Sequence, residues 1–248
     1  MIRFATEKEC EQIVSLWQEA FGDSREWVLL YLEENIENVL IYEENDQVFG
    51  MLSLLRVSYK ERAGFYVYGV ATGKAHRSLG VSTKLLEHAK KLAGDGFLVL
   101  VPRNQGLFEF YKGRGFFPVN SVTTTEMAKA DAKCGCRILP ATPGEYYQIR
   151  KNKLENLIEW DEDMLCSIRK FENGKYYKTD DGDGAFCYAY DGVLYVKELL
   201  GGEDMVGTIA GEYEVDRVRV TYAVASELPS CMTWPEFEEK VFFNISID

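Results

Sequence analysis

Apolar and polar positions follow clear periods along most of the 248-residue chain. Ile13, Leu16, Trp17 and Ala20 recur at helical spacing, which predicts an amphipathic helix over residues 6 to about 21. SREWVLLYLEEN, residues 24–35, reads as a second helix. Residues 39–42 and 48–57 read as strands around the turn EENDQ, a hairpin. FYVYGVAT, residues 65–72, is the next strand. It runs into KAHRSLGVSTKLLEHAKKLAG, a short basic glycine turn and then a helix. The helix places Leu85, Leu86, Ala89, Leu92 and Ala93 on one buried side and stops at Gly94. FLVLVP predicts another strand, and RNQGLFEFYKGRGFFPV a helix that leaves through Gly115–Phe116. Farther along, residues 161–171 read as helix. Residues 185–190 and 193–199, split by Asp191–Gly192, make a hairpin, and residues 217–224 and 241–247 read as strands.

The pattern repeats faintly. Ala5, Thr6, Glu9, Gln12 and Ile13 reappear as Ala141, Thr142, Glu145, Gln148 and Ile149, each 136 positions later. In both copies Thr and Glu stand three apart after a short extended segment, the spacing of a capping box at a helix start. Pro143 suits the first helical position of the second copy. Two α/β halves follow, residues 1–127 and 135–248, joined through the small, polar stretch AKADAKCG.

Composition narrows the function classes. With 46% hydrophobic and 27% charged residues the chain is an ordinary soluble globular protein. No apolar run approaches the ~20 residues that span a bilayer, and MIRFATEKECEQ lacks the apolar core of a secretory signal. Six scattered cysteines fit free thiols in a reducing cytoplasm. Cys134 and Cys136 invite a metal reading, but His76 and His88 are the only histidines and neither is near in sequence, so no metal is expected. A net charge of -12 argues against a nucleic-acid surface. The charge is uneven: residues 1–125 hold 14 basic against 16 acidic side chains, and residues 126–248 hold 14 against 24. A near-neutral half beside an acidic half fits an anionic ligand on one and a cationic one favoured by the other, or solubility alone.

The chemistry gathers between residues 65 and 116. Arg77–Ser78–Leu79–Gly80–Val81–Ser82 leads straight into a helix, where backbone N–H groups and the helix dipole suit a phosphate. Gly80 allows the close approach. The spacing of a nucleoside-triphosphate loop is absent. Asn104 and Tyr111 lie seven apart, about two helical turns, so both would point one way. Tyr111 either faces a ligand or packs with Phe110 and Phe116 as core.

This order of strand, glycine turn, helix, strand and Asn…Tyr…Gly-Phe helix resembles the acyl-CoA-binding half of the GCN5-related N-acetyltransferases (GNAT). Their turn carries Gln or Arg, two variable residues, Gly, one variable residue, then Gly or Ala. Arg77, Gly80 and Ser82 occupy those places, and Ser82 departs from the pattern by a hydroxyl. The resemblance implies a GNAT fold, a mixed central sheet with flanking helices, twice in tandem, the second copy reduced. It implies acetyl-CoA bound by Val70, Ala71, Thr72, Arg77, Ser78, Leu79, Gly80, Val81, Ser82, Thr83, Asn104 and Tyr111. In the family the strand before the turn is bulged and splays from its neighbour, so Val70 N–H would polarise the thioester carbonyl. Tyr111 would protonate the leaving thiolate, the two intrinsic pKa values being close. The second half, with GGEDMVGTIAGEY after its hairpin, carries neither signature. Tandem enzymes that acetylate aminoglycosides and other polyamines share this plan, and EKVFFNISID is similar to their last strand. They add a sterol-carrier-like domain not seen in this sequence.

The expected reaction is direct attack by a primary amine of a small cationic acceptor on acetyl-CoA in a ternary complex. No carboxylate stands on residues 65–72. Asp23, Glu33, Glu34 and Glu109 are base candidates beside a water relay, Tyr66 and Tyr68 would line the acceptor pocket, and His76 would touch the cofactor. A homo-oligomer is compatible with all of this. The competing reading is an acyl-CoA-binding regulatory or scaffold module without turnover.

Overall fold

The computed structural model describes residues 1–119, 123–222, 231–239, 241 and 243. Its contacts divide the chain into two units. Unit 1 is Met1–Pro118 with Met232–Phe237, and unit 2 is Val119–Cys231 with Glu238–Asp248. The crossing therefore falls ahead of residues 128–135, and the chain returns to unit 1 near its end.

Unit 1 begins with β1 (Ile2–Phe4), a short 3-10 turn and α1 (Cys10–Phe21). Glu9 carries the expected capping box: its carboxylate accepts the Thr6 N–H at 2.9 Å. Arg3 also donates to Glu9 at 3.0 Å, and that guanidinium lowers the Glu9 pKa to about 2. α2 (Arg25–Asn35) starts at Ser24, whose side chain accepts the Trp27 N–H. β2 (Val39–Glu44) and β3 (Gln47–Tyr59) turn at Asn45–Asp46, both with positive φ, as a two-residue hairpin requires. β4 (Arg62–Thr72), α3 (Val81–Ala93), β5 (Phe97–Leu100), α4 (Gln105–Lys112) and β6 (Phe117–Pro118) complete the run.

The seven-stranded sheet of unit 1 has the order β1-β2-β3-β4-β5-β13-β6. Only β4 and β5 run parallel; the other pairs are antiparallel. β13 (Met232–Trp234) comes from far down the chain and wedges between β5 and β6. Leu40, Leu52, Leu54, Leu85, Leu86, Leu98 and Phe116 bury one face of this sheet against α3 and α4.

Unit 2 repeats the plan. β7 (Thr123–Ala128) is followed by β8 (Leu139–Ala141), α5 (Pro143–Lys153), α6 (Glu162–Phe171), β9 (Lys175–Lys178), β10 (Gly184–Tyr190), β11 (Val193–Leu200), α7 (Asp204–Gly211) and β12 (Arg217–Tyr222). Read from β8, the order β8-β9-β10-β11-β12-β7 matches β1 to β5 with one further antiparallel strand, and only β11–β12 is parallel. The capping box recurs at Thr142–Glu145, with Pro143 in the first turn. Both units are thus mixed α/β sheets with flanking helices, as the expected fold requires. Arg150 and Glu198, each 1% exposed, form an ion pair inside unit 2 at 2.9 Å, with the Tyr146 hydroxyl donating to the same carboxylate. The strand expected over 241–247 lies outside the described residues except for Val241 and Phe243. No described helix is long and apolar enough to cross a membrane.

Candidate active site

The middle of unit 1's sheet is opened by one residue. Met51 pairs with Ala71 and Ser53 with Tyr68, so Gly69 and Val70 together face Leu52. This is a β-bulge, and Gly69 takes φ 60, a left-handed conformation. On the other edge, pairing of β4 with β5 ends at Tyr66–Val99. Among the described residues, 67–72 therefore have no strand partner on that side. Gly73 N–H donates to Phe49 O at 3.0 Å. By the alternation of an antiparallel ladder, Ala71 turns its backbone groups to β3, while Thr72 and Val70 turn theirs to the open edge. Arg77 Nε reaches the Thr72 carbonyl at 3.5 Å. The Thr72 hydroxyl oxygen is buried without a partner.

Directly beyond lies the basic turn. After a 3-10 turn at Lys74–His76, Ser78 adopts φ 66 and Gly80 φ 73. Gly80 is the N-cap of α3, which has no side-chain cap and no acidic residue in its first turn. The first amides of α3, including those of Val81, Ser82 and Thr83, point out of the helix end without intrahelical acceptors. A Cβ built on Gly80 meets nothing of the protein within 4 Å. The protein leaves space beside Gly80, and the uncapped amides of the helix start suit an anion. Leu79 is 59% exposed, whereas the Val81 and Ala71 side chains are buried, so those two offer backbone only. His76 stacks on Phe49 with ring centroids 3.6 Å apart, packing the turn onto β3.

α4 supplies the third element. Asn104 is its N-cap and not a helical residue; its side-chain oxygen accepts the Leu107 N–H at 3.0 Å. Asn104 and Tyr111 are thus at opposite ends of α4, about 10 Å apart along the axis, with Asn104 outside the helix proper. The cap uses the Asn104 oxygen and leaves its amide nitrogen on an exposed residue. Tyr111 is 6% exposed and packs edge-to-face on Phe110 and Phe116, at 5.2 and 5.8 Å between centroids. It shares one cluster with Val81, and Val70 packs against that cluster. Strand edge, turn and tyrosine thus border one hydrophobic cluster. Burial pushes the Tyr111 phenol up to about 12, with the Arg114 guanidinium opposing the rise. The phenol holds its proton more tightly than a free thiol near 8.5 does, so the two values are less close than the side-chain types alone imply.

On the far side of the bulge stands an aromatic group that the sequence reading took mostly as helix core. A Cβ at Gly69 would lie 3.0 Å from the Trp17 ring. Trp17 packs in turn on Tyr31 at 5.0 Å and Tyr68 at 5.6 Å, and its Nε1–H donates to Asp23 at 2.7 Å. Tyr66 is buried and Tyr68 half-buried. Of the other carboxylates proposed as bases, Glu109 accepts from Gln105 at 3.2 Å on the surface of α4, and Glu33 and Glu34 are exposed on α2. A residue not foreseen is Glu19, whose carboxylate accepts the Lys74 N–H at 2.6 Å and ties α1 to the turn. Another is Arg114, described below. Neither had a sequence signal beyond its charge. Among the described residues no group of three or more His, Cys, Asp or Glu side chains could hold a metal ion.

Comparison with known proteins agrees with the geometry. Residues 1–119 match the family model "Acetyltransferase (GNAT) domain". No curated protein matches the sequence. Among solved structures, a GCN5-related N-acetyltransferase from Anabaena variabilis superposes with a TM-score of 0.71 at 14% identity, over 94% of this chain and 72% of that one. One from Kribbella flavida gives 0.68 at 15%, over 94% and 70%. Eis1 from Mycobacterium abscessus gives 0.62 at 13%, over 92% and 66%. At such identities these likenesses establish the fold. The domain match identifies residues 1–119 as a GNAT acetyltransferase domain, a class that uses acetyl-CoA.

Proposed function

We propose that this enzyme moves an acetyl group from acetyl-CoA to a primary amine of a small cationic acceptor, by direct attack with both substrates bound. The observation that carries the reading is the pairing of a bulged, unpartnered strand edge at Val70–Thr72 with an uncapped helix start at Gly80–Thr83, one turn further along the chain. The first suits the amides of a pantetheine arm and the second its pyrophosphate. Val70 N–H donates to the thioester carbonyl oxygen, where an aimed amide strengthens as charge develops. Arg77, Ser78, Leu79 and Ser82 line the phosphate turn, and the Asn104 amide meets the pantetheine. The Tyr111 hydroxyl donates a hydrogen bond to the departing sulfur. Its raised pKa keeps it protonated at neutral pH, as a donor must be. Tyr68, half-buried beside the bulge and backed by the buried Trp17, supports a cationic acceptor there.

We further propose that unit 2 is a second GNAT copy that binds no acyl-CoA. The β10–β11 register slips between Phe186–Glu198 and Cys187–Val196, a bulge like that of β4. Here, however, the buried Arg150–Glu198 pair fills the neighbourhood. The glycine turn before α7 donates Gly202 N–H to Asp183 at 3.3 Å, and Glu203 and Asp204 open that helix. Carboxylates repel a phosphate.

A module that binds acyl-CoA without turnover is the second reading, favoured by the burial of Tyr111. Thiol release from acetyl-CoA separates the two, followed with polyamines, aminoglycosides and neutral amines. The enzyme reading expects release with cationic amines that falls sharply in Tyr111→Phe. Background release with every amine supports the module.

A further inference from the structure

Arg114 joins the two ends of the proposed cofactor site. Its guanidinium lies 3.4 Å above the Phe110 ring and Nη1 donates to the Phe110 carbonyl at 2.7 Å, which fixes it on the C-terminal end of α4. Nε donates to the Thr83 hydroxyl oxygen at 2.9 Å, in the first turn of α3. The contact spans 31 residues of sequence and crosses from one helix to the other. Lys90 closes the same junction by donating to the Arg114 carbonyl at 2.6 Å.

The position is electrostatically odd. A helix start already carries partial positive charge, and a cation beside it is unfavourable unless an anion joins them. α3 has no acid in its first turn to serve. A threonine hydroxyl that accepts from a guanidinium has its own proton left to give. Thr83 stands in the first turn of α3, beside the uncapped amides, where that proton is available to a ligand.

We infer that Arg114 is a positioning residue for the cofactor phosphate, acting through Thr83. By holding Thr83 Oγ1 as an acceptor, it orients the Thr83 O–H as a donor to a phosphate oxygen at the start of α3. The charged acceptor and the polarised chain of donors strengthen each other. The inference rests on acetyl-CoA binding at that turn, and Arg114 adds a residue outside the glycine motif.

The test measures binding of acetyl-CoA and of phosphate-free S-acetyl-pantetheine to the full chain and to Arg114→Met, Arg114→Lys, Thr83→Val and the double variant Arg114→Met/Thr83→Val. Thermal unfolding selects variants that remain folded; Thr83→Val, nearly isosteric, keeps the question open if Arg114→Met does not fold. Arg114→Met and Thr83→Val should each weaken acetyl-CoA about tenfold. The double variant should be no weaker than the worse single one, Arg114→Lys should recover part of the loss, and S-acetyl-pantetheine should bind all of them as it binds wild type. Equal losses for both donors, additive losses, or wild-type binding of acetyl-CoA by Thr83→Val would overturn the inference. If wild type itself fails to bind acetyl-CoA, it is the proposed function that falls.

Discussion

Replacing Gly69 by alanine tests the bulge at its narrowest point. Gly69 has φ 60, where an L side chain costs roughly 1–2 kcal/mol. The added methyl would also stand 3.0 Å from Trp17, a ring 1% exposed and held by Phe21, Tyr31 and Tyr68. With nowhere for that ring to retreat, overpacking adds roughly 1–3 kcal/mol. Gly22, the C-cap of α1, has φ 82 and nothing within 4 Å of its Cβ position. Gly22→Ala thus carries the backbone cost alone. In urea unfolding Gly69→Ala should lose roughly 1–3 kcal/mol more than Gly22→Ala, the overpacking difference. Only Gly69→Ala should also depress kcat/KM, by about a hundredfold, because a small displacement of Val70 misaligns its amide. Equal stability losses with turnover intact in both variants would show that neither the Trp17 contact nor the bulge shapes the strand edge.

Other perturbations read other parts of the account. Tyr111→Phe keeps the ring on Phe110 and Phe116. It should leave acetyl-CoA affinity unchanged while lowering turnover about a hundredfold; a loss of affinity equal to the loss of rate would assign the tyrosine to packing. Arg150→Met leaves the Glu198 carboxylate buried without its cation and should cost unit 2 about 3–5 kcal/mol in denaturant unfolding. Glu9 supplies a pH test. Its folded pKa, about 2 beside Arg3, lies below its ordinary 4.5. Its contribution to stability is therefore complete above pH 4.5 and fades as pH falls toward 2. In Glu9→Gln that part of the acid limb should vanish from the stability–pH profile, and an unchanged limb would contradict the Arg3–Glu9 pairing.

Most of unit 1 was legible because its elements are local. Helices with a 3.6 period, a two-residue hairpin turn and paired capping boxes each declare themselves within a dozen residues, and residues 65–72 and 77–83 form the strand and the glycine turn into a helix that the pattern predicts. What escaped notice depends on distant parts of the chain. β13 is three residues long and joins unit 1 by pairing with Leu98–Leu100 and Phe117–Pro118, more than a hundred residues earlier in the chain. β7, placed by sequence with the first half, pairs with β12 in unit 2. Asn104 is the N-cap and not the first helical residue, because asparagine at a helix start caps it. Arg114 and Glu19 act through hydrogen bonds to Thr83 and Lys74, 31 and 55 residues away. No single-sequence period marks such pairs.

Calorimetric titration of acetyl-CoA into wild type and Gly80→Glu tests the central claim most directly. Gly80 is at φ 73 with nothing of the protein within 4 Å of its Cβ position, so glutamate there adds bulk and negative charge to the turn at a backbone cost of roughly 1–2 kcal/mol. The account predicts saturable binding of one acetyl-CoA per wild-type chain and none to a folded Gly80→Glu. Equal binding by both, or no binding by wild type, would contradict it.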